Sequence, residues 1–183
     1  MNEPRTRADH VDRWLSVAAG VAALFAVGVS LYQAGLARQQ LRASAWPHLA
    51  QSNSYVPEQP YTRQVENQGV GPARVRAFRV LVDGRPVQTW GAVVRSLTGA
   101  PDSGVVYSSL SRGNVLPPGT GVTLLRLPPG AQAGLFWAAA QTRLETVICY
   151  CSIYDECWEA DSRKEEPAPV RACAIDAGTA FRQ

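Results

Sequence analysis

The chain has 183 residues, of which 46% are hydrophobic, with 18 lysines and arginines against 15 aspartates and glutamates. From Trp46 onward the count is 13 against 12. That near neutrality argues against nucleic acid as a partner, since such proteins carry a basic stripe or patch and only Arg74, Arg76 and Arg79 lie close together here. About 138 residues after the first 45 are enough for one domain with its own core.

The first element is the most informative. Trp14 to Ala37 is an uncharged, mostly apolar run of 24 residues, bracketed by Arg13 and Arg38. About 20 such residues cross the hydrocarbon of a bilayer, and a soluble helix of this length would carry a polar face. The run carries only Ser16, Ser30 and Gln33. The expected organisation is a cytoplasmic leader (1–13), a transmembrane helix (14–37), a helical stalk (38–45) and an extracytoplasmic domain (46–183). The helix should continue to Trp46-Pro47, because proline disfavours helix in the residue before it. Trp14 and Tyr32 suit interfacial anchoring. Ala43-Ser44-Ala45 fits a signal-peptide cleavage site, but the run is longer than an ordinary signal and Arg38 and Arg42 precede the cut. Arg5, Arg7 and Arg13 before the span against Arg38 and Arg42 after it place the N-terminus in the cytoplasm by a margin of one charge. Ala18, Ala22, Ala26, Ser30 and Ala34 recur every four residues, a spacing that lets two helices approach closely; an alanine-rich span also shows such a ladder by chance.

After the stalk, Tyr61 to Glu66 reads as a strand, followed by turn formers from Asn67 to Pro72. Ala73 to Val82 reads as a long strand and Asp83-Gly84 as a hairpin turn, with Arg85 to Trp90 returning. The apolar parity of the long strand changes near Ala77, which predicts a bulge or a strand covered on both sides. Helices are expected at Trp90 to Leu97 and Gln132 to Arg143, the second with Phe136, Trp137, Ala139 and Ala140 on its apolar side. Further strands are expected at Val105 to Leu110, Val122 to Leu127 and Leu144 to Tyr154. The charged, proline-rich Arg163 to Pro169 reads as a loop before a last strand at Arg171 to Ile175. The fold class is therefore mainly β: an antiparallel sandwich with one or two short helices.

All four cysteines lie late, at 149, 151, 157 and 173. An even number in an exported domain points to disulfides. Cys149 and Cys151, two apart on a strand, sit at the far end of disulfide reach. A turn at Tyr154-Asp155-Glu156 would bring Cys157 back to Cys151, leaving Cys149 for Cys173; exchanging the partners is nearly as good. The competing reading is a metal site on Cys149, Cys151 and Cys157, for which the ligand types suit zinc or cuprous copper but the spacing matches no finger pattern. Tyr154 and Trp158 flank the turn, as partner contacts or as a cover over the cysteines.

Reaction chemistry is sparse. The histidines are His10 and His48, neither placed for a triad inside the domain. Nucleophile-elbow, zinc-protease and Walker patterns are absent. Gly69-x-Gly71 lacks the third glycine of a dinucleotide turn, and Pro72 lacks the N–H a phosphate needs. Asp155, Glu156, Glu159 and Asp161 read as a hairpin tip and a solvated edge rather than as a carboxylate pair for hydrolysis.

Glu66-Asn67-Gln68-Gly69-Val70-Gly71-Pro72-Ala73 resembles the N-x-G-x-(G/A)-x-A turn of many bacterial immunoglobulin-like domains. The whole layout of span, Trp-Pro, turn and late cysteines is similar to that of uncharacterised bacterial single-pass membrane proteins. The resemblance implies an immunoglobulin-like sandwich and no activity. The resulting expectation is a non-catalytic inner-membrane protein with no cofactor, its domain periplasmic. Its partners would be the lipid bilayer, another envelope protein and, through the span, a second copy. The alternative is a small-ligand or metal sensor using the cysteine cluster.

Overall fold

The structure, a computed structural model, describes residues 6–101, 104–108, 110–174 and 178–182, with side chains from residue 10. Residues 1–5, including Arg5, lie outside the described residues, as do Ser109 and Ile175 in two of the expected strands. The chain divides into two compact units, Met1–Ala43 and Ser44–Gln183.

The first unit is helical. α1 runs Thr6–Ser44, so the helix continues through the stalk and ends just before Trp46-Pro47. Every described side chain from His10 to Ser44 is exposed, and the helix is long and apolar enough to cross a membrane. Its two serines between Trp14 and Ala37 are internally satisfied: Ser16 donates to the Asp12 carbonyl and Ser30 to the Ala26 carbonyl, each at 2.8 Å. Such back-bonding leaves neither serine hydroxyl in need of water.

The second unit is mixed: two helices and two antiparallel sheets. Its strands are β1 (Leu49–Ser54), β2 (Tyr61–Asn67), β3 (Ala73–Val82), β4 (Arg85–Val87), β5 (Val106–Tyr107), β6 (Val115–Leu116), β7 (Gly121–Leu127), β8 (Leu144–Cys151), β9 (Cys157–Asp161) and β10 (Ala168–Val170); α2 (Trp90–Thr98) and α3 (Ala131–Arg143) intervene. One sheet has the order β1-β2-β7-β5; the other runs β10-β9-β8-β3-β4, with β6 also on β3. Both contribute to one core, in which Tyr61, Val65 and Leu124 meet Val75, Val80, Ile148 and Tyr150.

Two bulges set the side-chain phase. In β3 the register skips Arg76 between Val75 and Ala77. The buried set accordingly switches from Ala73 and Val75 to Phe78, Val80 and Val82, the parity change visible in the sequence. In β7 the register skips Leu124, so Leu124 and Leu125 are both buried. The Asp83-Gly84 turn has positive φ at both residues, 52° and 75°, the two-residue hairpin geometry that Asp-Gly favours.

α2 starts where the Thr89 hydroxyl accepts from Ala92 N–H at 3.3 Å and stops at Gly99, whose φ is 70°. It buries Trp90, Val93, Val94 and Leu97, one helical stripe. α3 buries Ala133, Phe136 and Ala140, while Trp137 stacks on Tyr55 with centroids 6.0 Å apart.

Three expectations need correction. β1 was not anticipated. The last strand is β10, at Ala168–Val170, inside the stretch expected to be a loop; Pro169 is tolerated because β10 is an edge strand, paired only with β9. The strand expected through Tyr154 ends at Cys151, and β9 returns beside it.

The turn after β2 clamps the chain ahead of β1. Asn67 is fully buried. Its side-chain oxygen accepts from the N–H groups of His48 and Gly69, both at 3.1 Å. Its side-chain nitrogen donates to the carbonyls of Gly71 at 2.8 Å and Leu116 at 2.9 Å. The Trp46 carbonyl accepts from Val70 and Gly71 N–H, and the His48 carbonyl from Gln68 N–H. A Cβ at Gly69 or Gly71 would overlap the backbone of Trp46 and Pro47 or of Ala45, so glycine is required by the closeness of two main chains.

Tyr150 ties the sheets at the same end: its hydroxyl accepts from Leu49 N–H at 3.3 Å. Burial pushes this phenol up from 10.0 to about 12. A group that keeps its proton longer when folded stabilises the fold below the unfolded value and loses that contribution as pH rises. Stability should therefore decline between pH 10.0 and about 12, and Tyr150→Phe should flatten the decline. Denaturation midpoints of both proteins across that window, without reductant, provide the check.

Candidate functional site

The β8–β9 hairpin gathers most of the residues singled out in the sequence. Cys151 and Cys157 are register partners and form a disulfide with a Cα separation of 4.0 Å, closing the loop of residues 152–156. Ser152 N–H donates to the Glu156 carbonyl at 2.8 Å, and Asp155 takes a positive φ of 60°. Cys149, on the same side of β8 as Cys151, is bonded to Cys173 with a Cα separation of 5.6 Å, which draws the chain after β10 back onto β8. The bridges lie side by side: Cys151 and Cys173 sulfurs are 3.9 Å apart. The crowded sulfurs are those of Cys151, Cys157 and Cys173, within 4.8 Å of one another, rather than the expected trio of Cys149, Cys151 and Cys157. While oxidised, none can supply the thiolate that binds a soft metal.

The aromatic flanks have different fates. Trp158 is half-buried on β9 and stacks on Tyr150 with centroids 6.0 Å apart. Tyr154 and Ile153 are exposed at the hairpin tip. The nearby carboxylates face cations: Asp155 meets Arg74 and Arg76, Glu159 meets Arg79 at 2.6 Å, and Asp161 meets Lys164 at 3.6 Å. Pairs this open to solvent contribute little to stability. Ala18, Ala22, Ala26, Ser30 and Ala34 all lie exposed on α1.

Sequence reasoning missed one buried polar network between the sheets. Arg63, on β2, is only 5% exposed. Its Nη2 donates to the Thr146 hydroxyl on β8 at 2.6 Å. That hydroxyl donates to the Gln51 side-chain oxygen on β1, and the Gln51 amide donates to the carbonyls of Thr146 at 3.1 Å and Ala160 at 2.9 Å. Among the described residues Arg63 Nε is buried without a partner, while the Tyr61 hydroxyl lies beside the side chains of Arg63 and Asn53. Burial raises the Tyr61 phenol, an effect partly offset by the adjacent Arg63 charge. The available signal was parity: Arg63 shares a strand face with Tyr61 and Val65, which are fully buried.

No protein-family model matches the chain, and no curated protein matches it at a significant level.

Proposed function

We propose that this protein is a single-pass, non-catalytic component of a bacterial envelope. In this reading α1 anchors it in the inner membrane with the N-terminus in the cytoplasm. The β-rich unit is an immunoglobulin-like sandwich in the periplasm that binds another envelope protein, and the small-residue ladder on α1 pairs copies. One observation carries the reading: an apolar helix exposed along its whole described length is joined to a unit whose four cysteines are all in disulfides. Exposed apolar surface on that scale calls for lipid or a partner, and disulfides persist outside the reducing cytoplasm. Two antiparallel sheets sharing one core support the sandwich. The edge of β1 and the exposed Ile153 and Tyr154 offer a contact surface.

Alkylation of intact membranes without reductant, followed by peptide mapping, tests the topology: both bridges should be recovered and no cysteine labelled. Crosslinking in membranes should then capture the same envelope protein repeatedly, and failure to do so removes the interaction role.

A second reading rests on the crowding of Cys151, Cys157 and Cys173. If the bridges were reduced in the cell, three sulfurs would suit a soft metal, and the domain would be a metal sensor. Free thiols in the alkylation experiment, shielded until a chelator is added, would move this reading to the front.

A further inference from the structure

Arg63 points to a ligand. A guanidinium stays charged at every physiological pH, and a buried charge persists only when it is paired and hydrogen-bonded. Among the described residues Arg63 donates to the neutral Thr146 hydroxyl and lies beside the neutral Tyr61 phenol, and no carboxylate is within ion-pair distance of it. It is nevertheless held in place by the Thr146–Gln51 chain, which anchors on two backbone carbonyls.

Arg63 lines a cleft of about 430 Å³ between the β1–β2 side of one sheet and the α3–β8 junction beside the other. That volume is within the range of small-molecule sites. Arg163 also lines the cleft, with Asn53, Gln141 and Ser162. Arg163 is paired with Glu145 at 3.3 Å, so the positive charge of Arg63 is left over. The Ser162 hydroxyl accepts from Thr146 N–H at 2.9 Å, which leaves its own proton to give. The walls thus present donors and excess positive charge, with no lining carboxylate.

We propose that this cleft binds a small molecule bearing a compact oxyanion, a carboxylate or a phosphate, with Arg63 as its charge partner. The planar fork of arginine suits both groups. This inference is independent of the membrane topology and of any protein partner.

The test is thermal unfolding of the full chain in detergent with its disulfides intact, titrated with sodium phosphate, sodium succinate and, at matched ionic strength, sodium chloride. A ligand that binds only the folded state raises the midpoint. A saturable rise with phosphate or succinate beyond that with chloride is expected, and the more effective probe identifies the headgroup. Arg63→Met should abolish the rise. Arg163→Gln, at a more exposed position, removes a cation from the lining and leaves Glu145 uncompensated beside it; it should weaken apparent affinity about tenfold and remains informative if Arg63→Met does not fold. No rise beyond chloride with either probe overturns the proposal. So does an unchanged rise in folded Arg63→Met or, if that variant does not fold, in Arg163→Gln.

Discussion

Asn67→Ala should cost the domain about 4 kcal/mol, the summed penalty of three buried and one part-buried backbone groups each losing a hydrogen bond. The side chain occupies the centre of the turn, serving His48 and Gly69 N–H through its oxygen and the Gly71 and Leu116 carbonyls through its nitrogen. No water can replace those bonds without opening the turn, because Asn67 is fully buried. A typical domain has only about 5–15 kcal/mol in total, so the variant should be largely unfolded at modest urea. Asn67→Asp should do no better, since a carboxylate keeps the acceptor but turns a charge toward two carbonyls. Urea denaturation of the full chain in detergent, followed by tryptophan fluorescence, measures both. A change under 1 kcal/mol for Asn67→Ala would mean that the turn is held by its glycines and main-chain bonds alone.

The second large effect concerns the bridges, and the two should differ. Cys149 and Cys173 are 24 positions apart, Cys151 and Cys157 only 6. Loop-closure entropy gives a loss of about 3.5 kcal/mol for the first pair and about 2 kcal/mol for the second when both partners become alanine. The structure adds a reason for the same order. Cys151 and Cys157 already face each other in an antiparallel ladder, so hydrogen bonds hold the hairpin when the bridge is gone. Cys173 follows the three-residue edge strand β10, which has little else to hold it to β8. Paired alanine variants, unfolded in urea under identical conditions, give the ranking. Equal losses, or a larger loss for the hairpin bridge, would show that the tail is held by other contacts, foremost Phe181, whose ring lies 5.2 Å from Phe78 and 5.1 Å from Trp90.

Much of the frame was legible because local chemistry and tertiary demand agree there. β3 announced itself by β-branched residues, its bulge by a parity change, and its end by Asp-Gly. α2 was legible in the spacing of Trp90, Val93, Val94 and Leu97 with Gly99 after it, and α3 in Phe136, Trp137, Ala139 and Ala140 following Gly130. β1 was not legible: Leu49-Ala50-Gln51-Ser52-Asn53-Ser54 has no β-branched residue, and it is a strand because β2 pairs along its whole length. β10 was hidden by proline, which reads as loop unless the strand is known to be an edge. The site was the least legible part. Cysteine spacing announced the staples, but the Arg63 network joins β1, β2 and β8 through partners 83 and 95 positions apart, and no local pattern encodes such a meeting. Only the face that Arg63 shares with Tyr61 and Val65 hinted at it.

The bridge from Cys149 to Cys173 spans the exposed loop of residues 162–167, where Lys164 keeps 63% of its side chain in solvent. Exposed loops are where proteases nick folded chains. A cut after Lys164 would leave β10 and the tail covalently attached to β8, so the nicked protein would migrate as a single band on a non-reducing gel and release a small C-terminal peptide only on reduction. Peptide-bond integrity and molecular integrity are separate properties in this domain, and a protease acting on that loop would mark the molecule without dismantling it.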